Sequence, residues 1–354
     1  MVKKLSKDDS DTFSRVEQIK KDDAHYASGE GTGPNTNKDL GKTKTHWTTG
    51  NSNLGDQTYP GFSRFFMRLA EKEQLQQSPS HYIFTGFVPE QPFIKKSHNI
   101  TALGSCFAQE ITKYLSTRAF NINNQTDEKQ GNIDLYFYGF GLMNSFAIRE
   151  QFEFAYENKE VPADMWDFEG TNIKPSEELR QNLKKTFDET DVFIITYGMS
   201  EVWWNKKTNS AAWRKVNEKN TQFESDDFEY KISTCAENIE NIEKIYSLIR
   251  KHRPDASIIM TLSPVGIRAT WREVGSVVAN TVSKATLRVA LDEVHRKHSV
   301  VDKKFFYLPS YEIVREFGSV SETYKSFQDN FRHPPTDTVL LIMEFFRKYF
   351  IVQE

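Results

Sequence analysis

One cysteine of this sequence follows a short apolar run and begins a helical pattern. Residues 104–108 read Gly-Ser-Cys-Phe-Ala, and the apolar residues Ile111 and Leu115 continue the pattern at helical spacing. A free thiol, with an ordinary pKa of about 8.5, is only a few per cent thiolate at pH 7, and a helix amino terminus favours the charged form. Cys106 is therefore placed to act as a nucleophile. The alternative is a small buried thiol, since free cysteine is among the most buried residue types.

A histidine near the carboxyl terminus is the second residue suited to this chemistry. His333 precedes Pro334, which disfavours helical backbone before it, so we expect His333 in a loop ahead of the last helix. From such a loop it can act as a general base. His252, His295 and His298 lie at highly charged helix ends and are interpreted as solvated. The alternative for His333 is a structural loop histidine.

Short apolar runs alternate with amphipathic helical patterns from about residue 99 onward, and this alternation predicts an α/β fold with a mainly parallel sheet. The predicted strands are 100–103, 192–196, 257–262 and 305–308. The predicted helices include 236–251, 276–296 and 336–349. Ligands of open α/β sheets lie beyond the carboxyl ends of the strands, so we expect the site at those ends.

The amino-terminal part has a different composition. Residues 1–60 are rich in Lys, Asp, Gly, Thr and Asn and carry little apolar surface to offset the entropy of ordering them. We expect a disordered tail here, free to bind a protein partner. Residues 61–98 are predicted to be a lead-in segment that packs on the main domain, and residues 99–354 to form one α/β domain.

Composition and charge exclude several classes of function. The formal net charge of -3 comes from 46 basic and 49 acidic residues and gives no electrostatic footprint for nucleic acid. No stretch approaches the roughly 18 apolar residues of a membrane span, and two cysteines do not make a disulfide framework. We therefore expect a cytoplasmic protein with a small-molecule or glycan substrate. The sequence has no metal-ligand cluster and no phosphate-binding glycine loop, so we expect no metal and no bound cofactor.

Several motifs together resemble the GSCFA family, whose name spells residues 104–108. Further stretches resemble other conserved blocks of that family and occur in its order. They are residues 144–146, 197–203, 261–265, 307–312 and 332–334. The resemblance spans residues 93–350 and leaves out the tail. Five residues could match by chance, but several blocks in the same order make chance a poor explanation.

The GSCFA family is similar in layout to SGNH/GDSL hydrolases, and this similarity implies a three-layer α/β/α fold. It also implies that Cys106 takes the position of the serine nucleophile and that His333 takes the position of the base. Ser105 stands where those enzymes have an aspartate, and Gly139 or Gly141 stands for a conserved glycine. The residues implied for oxyanion or substrate binding are Ser105, Gly141, Asn144, Ser200 and Glu201.

The third member of the implied triad is open. SGNH enzymes usually have aspartate three residues before the base, but this chain has Asn330 there and Asp329 one place earlier. An asparagine can orient an imidazole but cannot stabilise imidazolium as a carboxylate does. Two other assignments also have alternatives. Ser200 and Glu201 would suit a helix start, and glycines between aromatic residues are more often turns.

The resemblance implies an acyl-transfer enzyme that forms an acyl-cysteine, either an esterase or an O-acyltransferase. It suggests carbohydrate substrates, with acyl-CoA as one candidate acyl donor. A second hypothesis is a non-catalytic ligand- or glycan-binding module on an SGNH-like fold. A third is a redox-sensing thiol, which would need Cys235 near Cys106.

Overall fold

A five-stranded sheet and a smaller three-stranded sheet organise this computed structural model, which describes residues 9–22, 75–76, 79–123, 143–160, 176–211, 226–328 and 332–353. The strands are β1 (Asn99–Gly104), β2 (Asn121–Ile122), β3 (Val192–Tyr197), β4 (Glu201–Asn205), β5 (Ser210–Ala211), β6 (Phe228–Ile232), β7 (Ser257–Leu262) and β8 (Phe305–Tyr307). The longer α-helices are α1 (Ser10–Asp22), α2 (Phe107–Ser116), α3 (Ser145–Glu157), α4 (Glu177–Glu189), α5 (Cys235–His252), α6 (Ser276–His298) and α7 (Thr336–Phe350).

The central sheet is parallel throughout and has the strand order β2-β1-β3-β7-β8. After β2 the chain crosses to the opposite side of β1, so the strand order reverses between β1 and β3. Open α/β sheets bind ligands beyond the carboxyl ends of the strands at such a reversal. The parallel sheet and its four predicted strands are confirmed, and β2 is an additional short strand at one edge.

Helices cover both faces of this sheet, because its strands are apolar on both sides. All residues of β3 are buried, and they alternate between two hydrophobic clusters. Val192 and Ile194 face the cluster that includes α2 and α7, whereas Phe193 and Ile195 face the cluster formed with α3, α4, α5 and α6. The predicted three-layer α/β/α arrangement is confirmed.

The predicted helices are also confirmed, and local chemistry explains where α5 begins. Thr234 Oγ1 accepts a hydrogen bond from the Glu237 amide at 3.2 Å, and Glu237 Oε2 accepts one from the Thr234 amide at 2.8 Å. This reciprocal capping satisfies two amides that the first turn would otherwise leave unpaired. Pro254 then prevents continuation soon after the helix ends at His252.

The smaller sheet is not among the elements predicted above. Strand β4 lies between β5 and β6, with antiparallel pairing on both sides. Ser200 and Glu201 therefore do not start a helix, which was the alternative considered for them. Val202, Trp203 and Trp204 are β-branched or aromatic residues of the kind that favours strands.

Helix α1 corrects the prediction of a disordered tail for residues 9–22. Val16 is fully buried, and Arg15 Nε lies 3.1 Å from the buried carboxylate of Glu344 on α7. Lys348 on α7 also pairs with the buried Asp9, with Nζ and Oδ1 2.6 Å apart. A few apolar residues on one helix face are enough to dock this segment. Residues 1–8 and 23–60 lie outside the described residues.

One of the three histidines expected to be solvated is buried. His295 is 6% exposed, and its ring lies 5.4 Å from the ring of Phe87 and 5.9 Å from that of Phe305. His252 and His298 are half-buried. The charged neighbours of His295 in the sequence point to solvent, while the histidine itself lies on the inward side of α6.

Of the helices in the described ranges, none combines the length and apolar character that crossing a membrane requires.

Candidate active site

The turn between β1 and α2 depends on a glycine and a serine. Gly104 has φ +113°, and a Cβ at this position would lie 2.0 Å from the Thr196 carbonyl oxygen, so only glycine fits beside β3. The Ser105 amide donates to that carbonyl oxygen at 2.9 Å. The buried Ser105 hydroxyl lies 2.9 Å from Thr196 Oγ1 and accepts from the Phe107 amide at 3.2 Å. Ser105 therefore fixes the turn that carries Cys106.

Cys106 is the N-cap residue of α2, and its side chain is half-buried rather than enclosed. Its position beyond the carboxyl end of β1 is the one predicted from the sequence. Because β1 borders the strand reversal, the thiol lies where this class of fold binds ligands. Neither Cys106 nor Cys235 forms a disulfide bond, and Cys235 donates through Sγ to the Thr286 carbonyl oxygen at 3.5 Å.

The loop that carries His333 is tied to the loop after β7. The Gly266 amide donates to the Arg332 carbonyl oxygen at 3.0 Å, and Arg332 Nε donates to the Gly266 carbonyl oxygen at 2.9 Å. The His333 carbonyl oxygen accepts from the Gln328 amide at 2.8 Å. His333 is half-buried and is followed by buried Pro334. The prediction of a loop histidine ahead of the last helix is confirmed.

Arg332 links this loop electrostatically to the cysteine. Burial lowers the pKa of Arg332, while the negative charge of a Cys106 thiolate raises it, and Arg268 lowers it again. The arginine and the sulfur are thus close enough for their charges to interact. The structure brings the segment that contains His333 to the same edge of the sheet as Cys106.

A buried lysine, which is not among the predicted site residues, joins the ends of two central strands. Lys284 lies on α6 and is 1% exposed. Its Nζ donates to the carbonyl oxygens of Gly198 at 2.7 Å and Ser263 at 2.8 Å, one residue beyond β3 and β7 respectively. Burial lowers the pKa of Lys284 to about 7, and the opposing influence is the charge of Cys106. The sequence signal is weak but real, since Lys284 shares helical spacing with the buried residues Leu287 and Leu291.

The segment predicted to offer oxyanion donors has its backbone amides engaged. The amides of Gly198 and Met199 both donate to the Met143 carbonyl oxygen, at 2.7 and 3.1 Å. The Ser200 amide donates to Ser283 Oγ at 2.8 Å. The Ser200 hydroxyl is buried and makes no hydrogen bond to any residue that the structure describes. Among the backbone amides and the hydroxyl of Gly198, Met199 and Ser200, that hydroxyl is the donor without a described partner.

Two further predicted residues have structural partners. Asn144 is the N-cap of α3, and its Oδ1 accepts from the Ala147 amide at 2.9 Å. Glu201 is 2% exposed, accepts a hydrogen bond from the Tyr230 hydroxyl and has its Oε1 3.8 Å from Arg272 Nη1. Both lie close to the carboxyl edge of the sheet, but these side-chain atoms bind protein groups.

Three predicted residues cannot be placed. Asn330, Asp329 and Gly141, together with the alternative Gly139, lie outside the described residues. The third triad partner therefore stays a prediction. Within the ranges that the structure covers, no group of three or more His, Cys, Asp or Glu side chains gathers as metal ligands would.

The fold and this site define a doubly wound α/β protein with a cysteine thiol at the strand reversal, whose charge interacts with those of Lys284 and Arg332. A model of the GSCFA family matches residues 99–346, and the chain belongs to that family. A comparison with curated protein sequences finds no significant match.

The solved structures that a structural comparison finds are distant from this chain. An acetyl xylan esterase, Est2A, from the rumen bacterium Butyrivibrio proteoclasticus is 14% identical, with a TM-score of 0.35 over 71% of this chain and 64% of that one. An active-site mutant of a family two carbohydrate esterase from Clostridium thermocellum is 9% identical, with a TM-score of 0.33 over 73% of this chain and 64% of that one. This chain thus spans 64% of the length of either enzyme.

Proposed function

We propose that this protein is an acyl-transfer enzyme acting on esters of carbohydrates, with Cys106 as the nucleophile and His333 as the base. The observation that carries the proposal is the position of Cys106. Cys106 is the half-buried N-cap residue of α2 at the strand reversal, and its charge interacts with that of Arg332, the residue before His333. A helix amino terminus and nearby cations both favour the thiolate, which is the reactive form.

The reaction would proceed in two halves. His333 takes the proton from Cys106 Sγ, and the thiolate attacks the carbonyl carbon of an ester or thioester. The positive end of α2 and the Ser200 hydroxyl stabilise the oxyanion that develops. The leaving oxygen or sulfur then takes the proton from His333, and an acyl-cysteine remains.

The fate of the acyl-cysteine separates the two enzyme classes. Attack by water, with His333 again accepting the proton, restores the thiol and releases an acid, as in an esterase. Attack by a sugar hydroxyl transfers the acyl group, as in an O-acyltransferase. Carbohydrate esterases are among the solved structures reported above, and the family resemblance independently suggests a sugar.

Intact-mass measurement after incubation with acetyl and longer-chain esters and with acetyl-CoA tests this function. We expect the mass of one acyl group on the wild-type protein and on Cys235→Ala, and none on Cys106→Ala. Cys235→Ala is the matched control because it removes the other cysteine of the chain. Release of acid without an acceptor indicates an esterase, and transfer to an added oligosaccharide indicates a transferase. If no acyl donor modifies Cys106, the binding-module hypothesis replaces this one.

A further inference from the structure

Lys284 is an unusual residue to find in the interior of a fold. It is 1% exposed, and no Asp or Glu of the described ranges forms an ion pair with its ammonium group. Burying an ammonium without an anionic partner is strongly unfavourable, and two carbonyl oxygens offset that cost only in part. A nearby anion would greatly reduce the free-energy cost of burying this ammonium group.

Gly198 and Ser105 connect Lys284 to Cys106. The Lys284 ammonium donates to the Gly198 carbonyl oxygen. Gly198 packs closely on the turn between β1 and α2, because a Cβ added to Gly198 would lie 3.3 Å from Ser105 Cβ. Ser105 directly precedes Cys106. The charge of Cys106 is the one influence that raises the pKa of Lys284, against burial and Arg332, which lower it.

We propose that Lys284 is a positioning residue that holds Cys106 as a thiolate, with the sulfur serving as counter-ion to the buried ammonium. The inference rests on the proposed function only in taking Cys106 as the reacting group. Lys284 transfers no proton to the reacting groups, and the proton lost by Cys106 passes to His333. The negative charge of the thiolate favours the ammonium form of Lys284 against the effect of burial. The two hydrogen bonds to Gly198 and Ser263 fix the ammonium relative to the ends of β3 and β7.

Other groups also face this pair. The amino terminus of α2 and the Arg332 guanidinium both favour the thiolate, and the positive charge of Arg268 lowers the pKa of Arg332. Arg332 is half-buried, whereas Lys284 is enclosed in a medium of lower effective dielectric constant. Charges interact more strongly in such a medium, so we expect Lys284 to have the larger influence on the thiol.

The test is the pH dependence of alkylation of Cys106 by iodoacetamide, followed by intact mass in a Cys235→Ala background. The midpoint of the rate profile should lie below the ordinary thiol value of about 8.5, and Lys284→Met should raise it by about one unit or more. The midpoint is the primary readout, because the greater intrinsic nucleophilicity of a more basic thiolate offsets part of the loss in rate. The ultraviolet absorbance of the thiolate should follow the same midpoint.

Ser283→Ala is the matched control for a purely structural role. It removes the hydrogen bond from the Ser200 amide to Ser283 Oγ, beside the segment that Lys284 contacts, without altering charge. We expect its midpoint to equal that of the background protein. A midpoint shift in Ser283→Ala equal to that in Lys284→Met would overturn the proposal in favour of loosened packing.

The parent protein alone can also overturn the proposal, should Lys284→Met fail to fold. A Cys106 midpoint at or above about 8.5 in the Cys235→Ala protein would mean that no cation stabilises the thiolate. None of these measurements needs turnover. Absence of an acyl adduct would contradict the enzymatic function and leave the Lys284 result standing. An unchanged midpoint in Lys284→Met would overturn the role of Lys284 and leave the enzymatic function standing.

Discussion

Cys106 has electrostatic partners from three different parts of the chain, and each of them favours the charged thiolate form of its side chain. The first turn of α2 presents its positive end, α6 presents Lys284, and the loop before α7 presents Arg332. A cysteine in such surroundings needs less help from a base than a serine does, because its charge is largely formed before attack. This difference bears directly on the proposed triad, in which Asn330 stands where the family resemblance implies an aspartate.

The first prediction follows from that argument. His333→Ala should lower turnover by about 100-fold or more, since general acid–base catalysis contributes on that scale. Asn330→Ala should leave a measurable remainder, because the thiolate does not depend on imidazolium stabilisation. Asp329→Ala decides between the two candidate partners. If Asn330 orients the ring, Asn330→Asp should preserve or raise activity and move the pH optimum upward, because an added carboxylate favours the protonated imidazole.

His98→Ala is the control for the histidine substitution. His98 directly precedes β1, at the opposite edge of the sheet from Cys106, so its removal should not change steady-state rates. Full turnover of His333→Ala on a substrate that acylates Cys106 would show that His333 is a structural loop residue.

Helix α6 is the element that connects the site to the core. It runs for 23 residues from the carboxyl edge of the sheet, where Lys284 and Ser283 contact the ends of β3 and β7, to the buried His295 near its other end. Two titratable groups on its inward face, Lys284 and His295, are thus buried. Their burial makes the stability of the fold depend on pH.

Periodicity predicts α6 and the parallel strands well, because their apolar patterns are long and their ends carry turn-forming residues. The same reasoning fails for His295, whose charged neighbours indicate solvent, and for Lys284, because a lysine is itself a residue type expected at the surface. A single lysine on an apolar helix face is identified only when the contacts of that face are known. Strands β4 to β6 are short and partly exposed, so their pattern is equally weak.

The second prediction concerns His295. Burial lowers its pKa to about 4, against a raising influence of Asp292 and a lowering one of Arg288. Between about pH 4 and 6.5 the unfolded chain therefore binds more protons, so stability falls as the pH drops through this window. His295→Phe lacks that loss and should be more stable than the wild type at pH 5 by about 2 kcal/mol, beyond any difference in packing.

Urea denaturation of both proteins at pH 5 and pH 8 measures this difference. At pH 8 the imidazole is neutral in both states, so the comparison there isolates the packing effect of the ring exchange. An equal stability difference at the two pH values would mean that His295 is not buried as the structure has it.

At the scale of the whole molecule, helix α1 closes one side of the α/β/α sandwich although it lies far from α7 in sequence. Phe13 stacks on Phe317 and Tyr324 at ring distances of 6.3 and 5.8 Å, which joins α1 to the segment that precedes the His333 loop. Asp9 accepts hydrogen bonds from the Ser80 amide at 3.0 Å and hydroxyl at 2.5 Å. The family match begins at residue 99, so α1 lies outside the part of the chain that the family model covers.

The last prediction is that deleting residues 1–22 destabilises the domain, in contrast to what the polar composition of the amino-terminal segment suggests. The deletion uncovers the site of Val16, and one fully buried aliphatic side chain contributes about 1.5–3 kcal/mol. It also removes the ion pair between Arg15 and Glu344. The Glu344 carboxylate stays paired, because it still accepts from the Tyr114 hydroxyl at 2.6 Å and from Arg347 Nε at 2.7 Å. We therefore expect folding to survive with a free energy of unfolding lower by about 3 kcal/mol or more. Deleting residues 1–8 keeps all of these contacts and is the control in chemical denaturation. Equal stability of the two truncated proteins would show that α1 does not pack on the domain in solution.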